Sequence, residues 1–220
     1  MLKIVVYDSG YGGELFADQL GSFLPIVEII RVIDWRNADK ILNNPKSARE
    51  AALTALRPYI GEVDLIVFAN YLLSATSLKF FQRKFRTQKF VGLGLNLPKA
   101  KYRDKTLILA TKALTKTINF HNYLFHLKVK NKTMILDDWV SKIDDGELRF
   151  DEIRAKLIIF MEKENWHAKE IIIACSQFSD IKRELKKVLG RDTKVYDGNE
   201  EAIKSICKTL RIRGALRKKK

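Results

Sequence analysis

Short runs of β-branched and apolar residues alternate with amphipathic stretches of helical period along the whole chain, the pattern of crossover βα units around a mostly parallel sheet. The apolar runs predict strands over Leu2 to Tyr7, Val27 to Ile33, Asp64 to Phe68, Phe90 to Leu93, Thr106 to Ala110, Thr133 to Leu136, Glu170 to Ala174 and Thr193 to Tyr196. Between them, the 3.6-residue spacing predicts helices near Gly13 to Phe23, Lys46 to Tyr59, Ala75 to Phe85, Lys116 to His126, Phe150 to Lys163, Asp180 to Leu189 and Glu200 to Leu210. The class is therefore α/β. Laid side by side, Asp64-Leu65-Ile66-Val67-Phe68-Ala69-Asn70 and Glu170-Ile171-Ile172-Ile173-Ala174-Cys175-Ser176 put Ala69 and Cys175 at the same place. Each ends a buried strand at the carboxyl edge, where open α/β sheets place ligands. This echo hints at two similar lobes. The Leu93 to Lys105 segment, with Gly94, Asn96 and Pro98, is the expected crossing between them.

Composition narrows the picture. The chain has 220 residues, of which 46% are hydrophobic, enough to bury one large core or two of about 100 residues each. No apolar stretch approaches the roughly 18 residues of a membrane span. The start, Met1 to Asp8, runs straight into a strand pattern without the regions of a signal peptide, so a cytoplasmic location and no membrane partner are expected. With two cysteines and no CxxC, neither a disulfide framework nor a zinc site is indicated. Cys207 lies on the apolar face formed with Ala202, Ile203, Ile206 and Leu210, a core position. His121, His126 and His167 lack metal-ligand spacing.

The net charge of +15 is partly concentrated in Lys208 to Lys220, which holds seven basic residues and no acidic ones. Such a tail attracts nucleic acid or anionic lipid in a salt-sensitive way, or is simply a solvated end; aromatics are not interleaved with it as base stacking requires.

Two segments carry candidate chemistry. Asp8-Ser9-Gly10-Tyr11-Gly12-Gly13 is a tight turn between a strand and a helix, and it departs from the dinucleotide fingerprint because Leu15 stands at the third glycine. It is read either as a structural turn capped by Asp8 or as a small-molecule site in which Asp8 handles a proton. Cys175 follows Ile171 to Ala174 and precedes a helix-like stretch, so its sulfur is expected at a strand end near a helix N-terminus, a placement that favours thiolate. A lone cysteine there is also read as a small packed residue.

The opening Asp8 to Gly13 resembles the DSGxGG motif of glutamate racemase and the wider aspartate/glutamate racemase superfamily. In order along the chain, Leu65 to Asn70 falls at that family's Ala-Cys-Asn-Thr motif, and Ile173 to Phe178 at its Gly-Cys-Thr-His-Tyr motif. Val91-Gly92, Leu109-Ala110-Thr111 and Val195-Tyr196-Asp197 with Ala202 are similar to further family segments. The resemblance implies two similar three-layer α/β lobes with mostly parallel sheets facing a shared cleft, the first covering 1–95 with 198–220 returning to it, the second 96–197.

It also implies cofactor-independent proton transfer at an α-carbon, in which two thiols flank the substrate, and a part in peptidoglycan precursor synthesis. Carried over by position, Cys175 and Asp8 are the catalytic candidates, while Ser9, Asn70, Thr111 and Ser176 hold substrate polar groups. The departures are Ala69 for the first cysteine, Tyr71 for threonine, Gln177 for histidine, and Asp34-Trp35-Arg36-Asn37 leading into Lys40 to Pro45 where a Pro-Tyr-Gly segment is expected. Each lost acid or base costs roughly 10²- to 10⁴-fold in rate. The expectation is thus a racemase-like isomerase homologue with a degenerate site, taking a small amino acid or carboxylate, needing no cofactor or metal, and admitting a homodimer. The alternatives are a single-cysteine decarboxylase-type enzyme and a non-catalytic binding protein that uses its basic surface for an anionic partner.

Overall fold

The computed structural model describes residues 1–38, 44–94, 105–127 and 129–212. The chain divides into two compact units, Met1–Gly94 with Asn199–Lys220, and Leu95–Gly198.

In the first unit, β1 (Leu2–Asp8), β2 (Val27–Ile33), β3 (Leu65–Phe68) and β4 (Phe90–Gly92) form a sheet in the order β2-β1-β3-β4, every pair parallel. Every residue from Ile4 through Asp8 and all of β3 are buried, as expected of central strands covered on both faces; this is why they read as continuous apolar runs. The edge strand β2 is only partly buried and carries Glu28 and Arg31. The core of this unit is aromatic: Phe68 meets Phe81 edge-to-face with ring centroids 4.9 Å apart, and Phe90 and Tyr7 close around them.

Helices connect the strands. α1 (Tyr11–Phe23) buries Phe16, Ala17 and Leu20. α2 (Pro45–Leu56) starts with proline in its first turn and is capped by Asn44, whose Oδ1 accepts from the Lys46 and Ser47 N–H groups. It ends at Leu56, before the predicted Tyr59, because Pro58 supplies no N–H to continue the ladder and the chain tightens into a 3-10 turn over Arg57–Tyr59. α3 spans Tyr71–Lys84.

The second unit repeats the plan. β5 (Thr106–Ala110), β6 (Asn131–Ile135), β7 (Glu170–Ala174) and β8 (Lys194–Asp197) form a parallel sheet in the order β6-β5-β7-β8, with every residue of β5 and β7 buried. Its helices are α4 (Lys112–Thr115), α5 (Ile118–Leu127), α6 (Asp137–Asp144), α7 (Phe150–Lys163) and α8 (Lys182–Leu189). The sequence pattern misses α6, because a helix this short shows barely two turns of period. Its Trp139, Val140 and Ile143 are nonetheless buried. The final helix α9 (Gly198–Thr209) lies almost wholly within the first unit, where the buried Asn199 donates to Gln19 Oε1 at 2.9 Å. Its Cys207 is buried beside Ile203 and Ile206, and that burial pushes its thiol pKa up.

Both sheets share one topology: the chain adds its second strand on one side of the first, then crosses back to add the third and fourth on the other. The β1/β3 and β5/β7 boundaries are therefore topological switch points, where the connections diverge and leave a crevice at the carboxyl ends of the strands. The expected crossing segment, Leu93 to Lys105, lies mostly outside the described residues, as does the basic tail beyond Ile212 and part of the segment after Asn37. No helix among the described residues is long and apolar enough to cross a membrane.

Candidate active site

At the first switch point, Tyr7 pairs with Phe68 across β1 and β3, and the next residue on each strand is Asp8 and Ala69. At the second, Ala110 pairs with Ala174, and the next residues are Thr111 and Cys175. Strand register thus makes Asp8 the counterpart of Thr111, Ala69 that of Cys175, and Asn70 that of Ser176. The sequence echo between the two segments corresponds to a structural equivalence, with a thiol and two hydroxyl groups in the second unit and a carboxylate-amide pair in the first.

Asp8 is 1% exposed, and a buried carboxylate must be hydrogen-bonded to be tolerable. Its Oδ1 accepts the Ser9 N–H at 2.7 Å and an Asn70 side-chain N–H at 2.8 Å. Asn70 is also the N-cap of α3, its Oδ1 accepting the Leu73 N–H at 2.9 Å. Both ends of the Asn70 amide are therefore engaged within the protein. The backbone joins in: the Tyr7 carbonyl accepts the Ala69 N–H and the Asp8 carbonyl the Asp34 N–H, both at 2.8 Å. Gly13 allows α1 to lie against this corner, since a Cβ there would stand 2.4 Å from Asp8 Cβ and 2.8 Å from Ile33 Cδ1.

Asp34, which replaces part of the expected Pro-Tyr-Gly segment, accepts from Asn37 Nδ2 at 3.0 and 2.9 Å and from the Tyr7 hydroxyl at 3.4 Å. Burial, together with the Asp34 carboxylate, raises the Tyr7 phenol far above its ordinary range, so it remains a neutral donor. Ala69 is wholly buried and Tyr71 nearly so.

In the second unit, Thr111 caps α4 through its hydroxyl, 3.4 Å from the Leu114 N–H, and is 7% exposed. Cys175, also 7% exposed, directs its S–H to Gln177 Oε1 at 3.0 Å. Ser176 donates to the same oxygen at 3.1 Å. The expectation of a helix N-terminus beside the sulfur is not met: a single 3-10 turn, Gln177–Ser179, follows, and α8 begins only at Lys182. The helix expected from Asp180 starts at Lys182, and the turn before it carries Phe178 inward, where it is fully buried edge-to-face against Trp139 of α6 at 6.2 Å. Ser179 pins the other side of the turn by donating to Asp197 Oδ1, at the end of β8, at 3.1 Å.

Trp139, Phe178, Ser179 and Asp197 thus hold the thiol turn. Sequence reasoning assigned them no role, although an aspartate ending a strand beside a candidate site was a usable signal for Asp197. Among the described residues no group of three or more His, Cys, Asp or Glu side chains is gathered as a metal site needs.

Two four-stranded parallel sheets of the same order, each with polar side chains at its switch point, define a two-unit α/β protein. No family model matches the chain. It is 22% identical over 208 residues to a glutamate racemase of Clostridium novyi, covering 90% of this chain and 79% of that protein. Among solved structures it is similar to Escherichia coli glutamate racemase in complex with L-glutamate and the activator UDP-MurNAc-ala, with a TM-score of 0.82, 18% identity, and coverage of 96% and 83%. It is also similar to the aspartate racemase of Picrophilus torridus, with a TM-score of 0.66, 14% identity, and coverage of 94% and 93%. The fold is that of solved glutamate and aspartate racemases, and the sequence is similar to that of glutamate racemases.

The Asp8–Asn70 pair generates a pH prediction. Asn70→Ala removes a cap and one of the donors to Asp8, and is expected to cost about 2 kcal/mol in urea unfolding. Asn70→Asp keeps the cap acceptor but sets a second carboxylate at 2.8 Å from Asp8 Oδ1, so one folded-state carboxyl pKa rises above its unfolded value of about 4. Its deficit relative to wild type is then smallest below that unfolded value and grows as pH rises toward neutrality, to about 3 kcal/mol. Equal stability deficits for Asn70→Asp at pH 4 and 7 would contradict this pairing.

Proposed function

We propose that the chain is a racemase-like isomerase homologue that transfers a proton at the α-carbon of a small amino acid or dicarboxylate without a cofactor, with Cys175 as its one catalytic thiol and its activity altered by the loss of the other. The observation that carries this reading is the equivalence of Ala69 and Cys175 at the two switch points: the fold keeps both positions, and only one bears a proton-carrying group. The similarity to glutamate racemases, one of them solved with L-glutamate, supports a small carboxylate ligand.

In this reading Cys175 exchanges a proton with one face of the α-carbon, and Asp8, kept in place by Ser9 and Asn70, assists. Ser9, Asn70, Thr111 and Ser176 are proposed to contact the ligand. For Asn70, Thr111 and Ser176 this requires part of their present hydrogen bonding to be exchanged for ligand atoms. Gln177 cannot exchange protons near neutral pH, so histidine's part is not replaced. A cytoplasmic location fits such a metabolic role.

A second reading, a non-catalytic binding protein, is favoured by a specific observation: the Asp8 and Asn70 side chains satisfy one another, as they would in a purely structural corner. In that reading the basic surface, including the tail from Lys208, meets an anionic partner.

Ala69→Cys restores a thiol where Asn70 already follows. Since Ala69 is wholly buried, the added sulfur is expected to cost about 1–3 kcal/mol. The variant is expected to racemise glutamate or aspartate measurably faster than wild type by chiral chromatography, and Cys175→Ala in the same background to abolish the gain. Efficient racemisation by wild type would contradict the one-thiol account. A folded Ala69→Cys variant with no gain would count against the catalytic reading.

The second reading makes its own prediction: fluorescence anisotropy at low salt detects nucleic-acid binding that weakens on deletion of Arg217 to Lys220, with a shallower salt dependence. No binding at low salt would remove nucleic acid as that partner.

A further inference from the structure

We propose that Gln177 is a positioning residue that keeps the resting Cys175 sulfur in its S–H form, so that Cys175 is poised as a proton donor and takes up a proton only through the small thiolate fraction in equilibrium with it. This rests on the functional reading above and assigns the direction in which its thiol works. The Gln177 carbonyl oxygen has two lone pairs, and two donors address it: Cys175 Sγ at 3.0 Å and Ser176 Oγ at 3.1 Å. An acceptor aimed at the neutral form of an acid stabilises that form, and burial of Cys175 acts in the same direction.

The opposing influence, a helix N-terminus at the sulfur, is displaced to Lys182. The arrangement is held rigidly. Gln177 is 6% exposed, and its turn is fixed on one side by Phe178 against Trp139 and on the other by the Ser179–Asp197 hydrogen bond.

In the exchange the minor thiolate takes the α-proton, forming an S–H bond as the C–H bond breaks and leaving its electron pair on the α-carbon of the bound amino acid or dicarboxylate; in the donor step that S–H bond breaks and the proton passes to the carbanion. The carbanion's lone pair becomes the new C–H bond, and the negative charge moves to sulfur as thiolate. Water returns a proton to the sulfur, restoring the hydrogen bond to Gln177. A chain built this way protonates one face of a carbanion more readily than it creates one.

The test uses the full chain carrying Cys207→Ala, which leaves Cys175 as its single thiol. The rate of iodoacetamide alkylation is followed against pH, and the S–H stretching band is recorded by infrared spectroscopy. The wild-type residue at 177 is expected to give a midpoint above the ordinary thiol value of about 8.5 and an S–H band lowered in frequency by hydrogen bonding. Gln177→Ala is expected to lower the midpoint and raise the band frequency, and Gln177→Glu, which keeps an acceptor and adds charge, to raise the midpoint beyond wild type. Each unit of midpoint changes the neutral-pH alkylation rate by about tenfold. A change in access alone would scale the rate at every pH and leave the midpoint in place.

A wild-type midpoint below that of a free thiol, or one unmoved by both substitutions, would overturn the assignment. If Gln177→Ala does not fold, the wild-type midpoint and S–H band still decide it. The titration needs no substrate, so an inactive protein with the expected titration would sink the functional reading and leave the thiol's state as assigned. An active protein whose midpoint ignores Gln177 would sink the assignment alone.

Discussion

A carboxylate that is 1% exposed at the end of a central strand is the constraint around which the first unit is arranged. Such a group is tolerable only where donors are fixed in place, and each donor here is fixed by something structural. The Ser9 N–H is set by the turn itself. The Asn70 N–H is set because the other end of that amide caps α3. Gly13 lets α1 approach closely enough to exclude water from the same corner. Removing any one of these leaves Asp8 in a low-dielectric environment with less compensation, so the turn, the cap and the helix contact form one interdependent unit and not three separate features. The same economy explains why the DSGxGG-like opening is legible as a motif: its residues are dictated jointly by the carboxylate and by the space available.

The second unit solves a related problem with weaker acids. Where Asp8 stands in one sheet, Thr111 stands in the other, and where Ala69 is wholly apolar, Cys175 brings a thiol. A thiol and hydroxyl groups cost less to bury than a carboxylate; Cys175 and Ser176 donate to Gln177, and the Thr111 hydroxyl accepts the Leu114 N–H. Two sheets of one topology have thus been filled with different chemistry at equivalent points. The difference is that the strand end at the switch point carries a thiol in one unit, Cys175, and a methyl group in the other, Ala69.

Much of this was legible in the sequence. The central strands were found because burial on both faces leaves continuous β-branched runs such as Leu65 to Phe68 and Ile171 to Ile173, and the order of candidate motifs followed from the same strands. The failures are local and physical. α3 was expected to begin at Ala75 and begins at Tyr71, since an N-cap asparagine that also meets a carboxylate reads as a site residue before it reads as a helix start. α6 was invisible because eight residues give too little period, yet its Trp139 anchors the turn after Cys175. The helix expected over Asp180 to Leu189 is present as Lys182–Leu189. What the local pattern does not encode is the turn before it, in which Phe178 is buried against a tryptophan some 40 residues away in the chain. Asp34 was noted only as a departure from a family segment, whereas it receives hydrogen bonds from both Tyr7 and Asn37.

The central claim is that one thiol, at Cys175, exchanges a proton with one face of a bound α-carbon. Proton NMR of D- and L-glutamate and aspartate incubated with the protein in deuterated water tests it directly. The account predicts that the α-proton of one enantiomer is replaced by deuterium with retention of configuration, and that Cys175→Ser abolishes the replacement while the protein stays folded. Exchange that persists in Cys175→Ser, or exchange accompanied by full racemisation in the wild type, would contradict it.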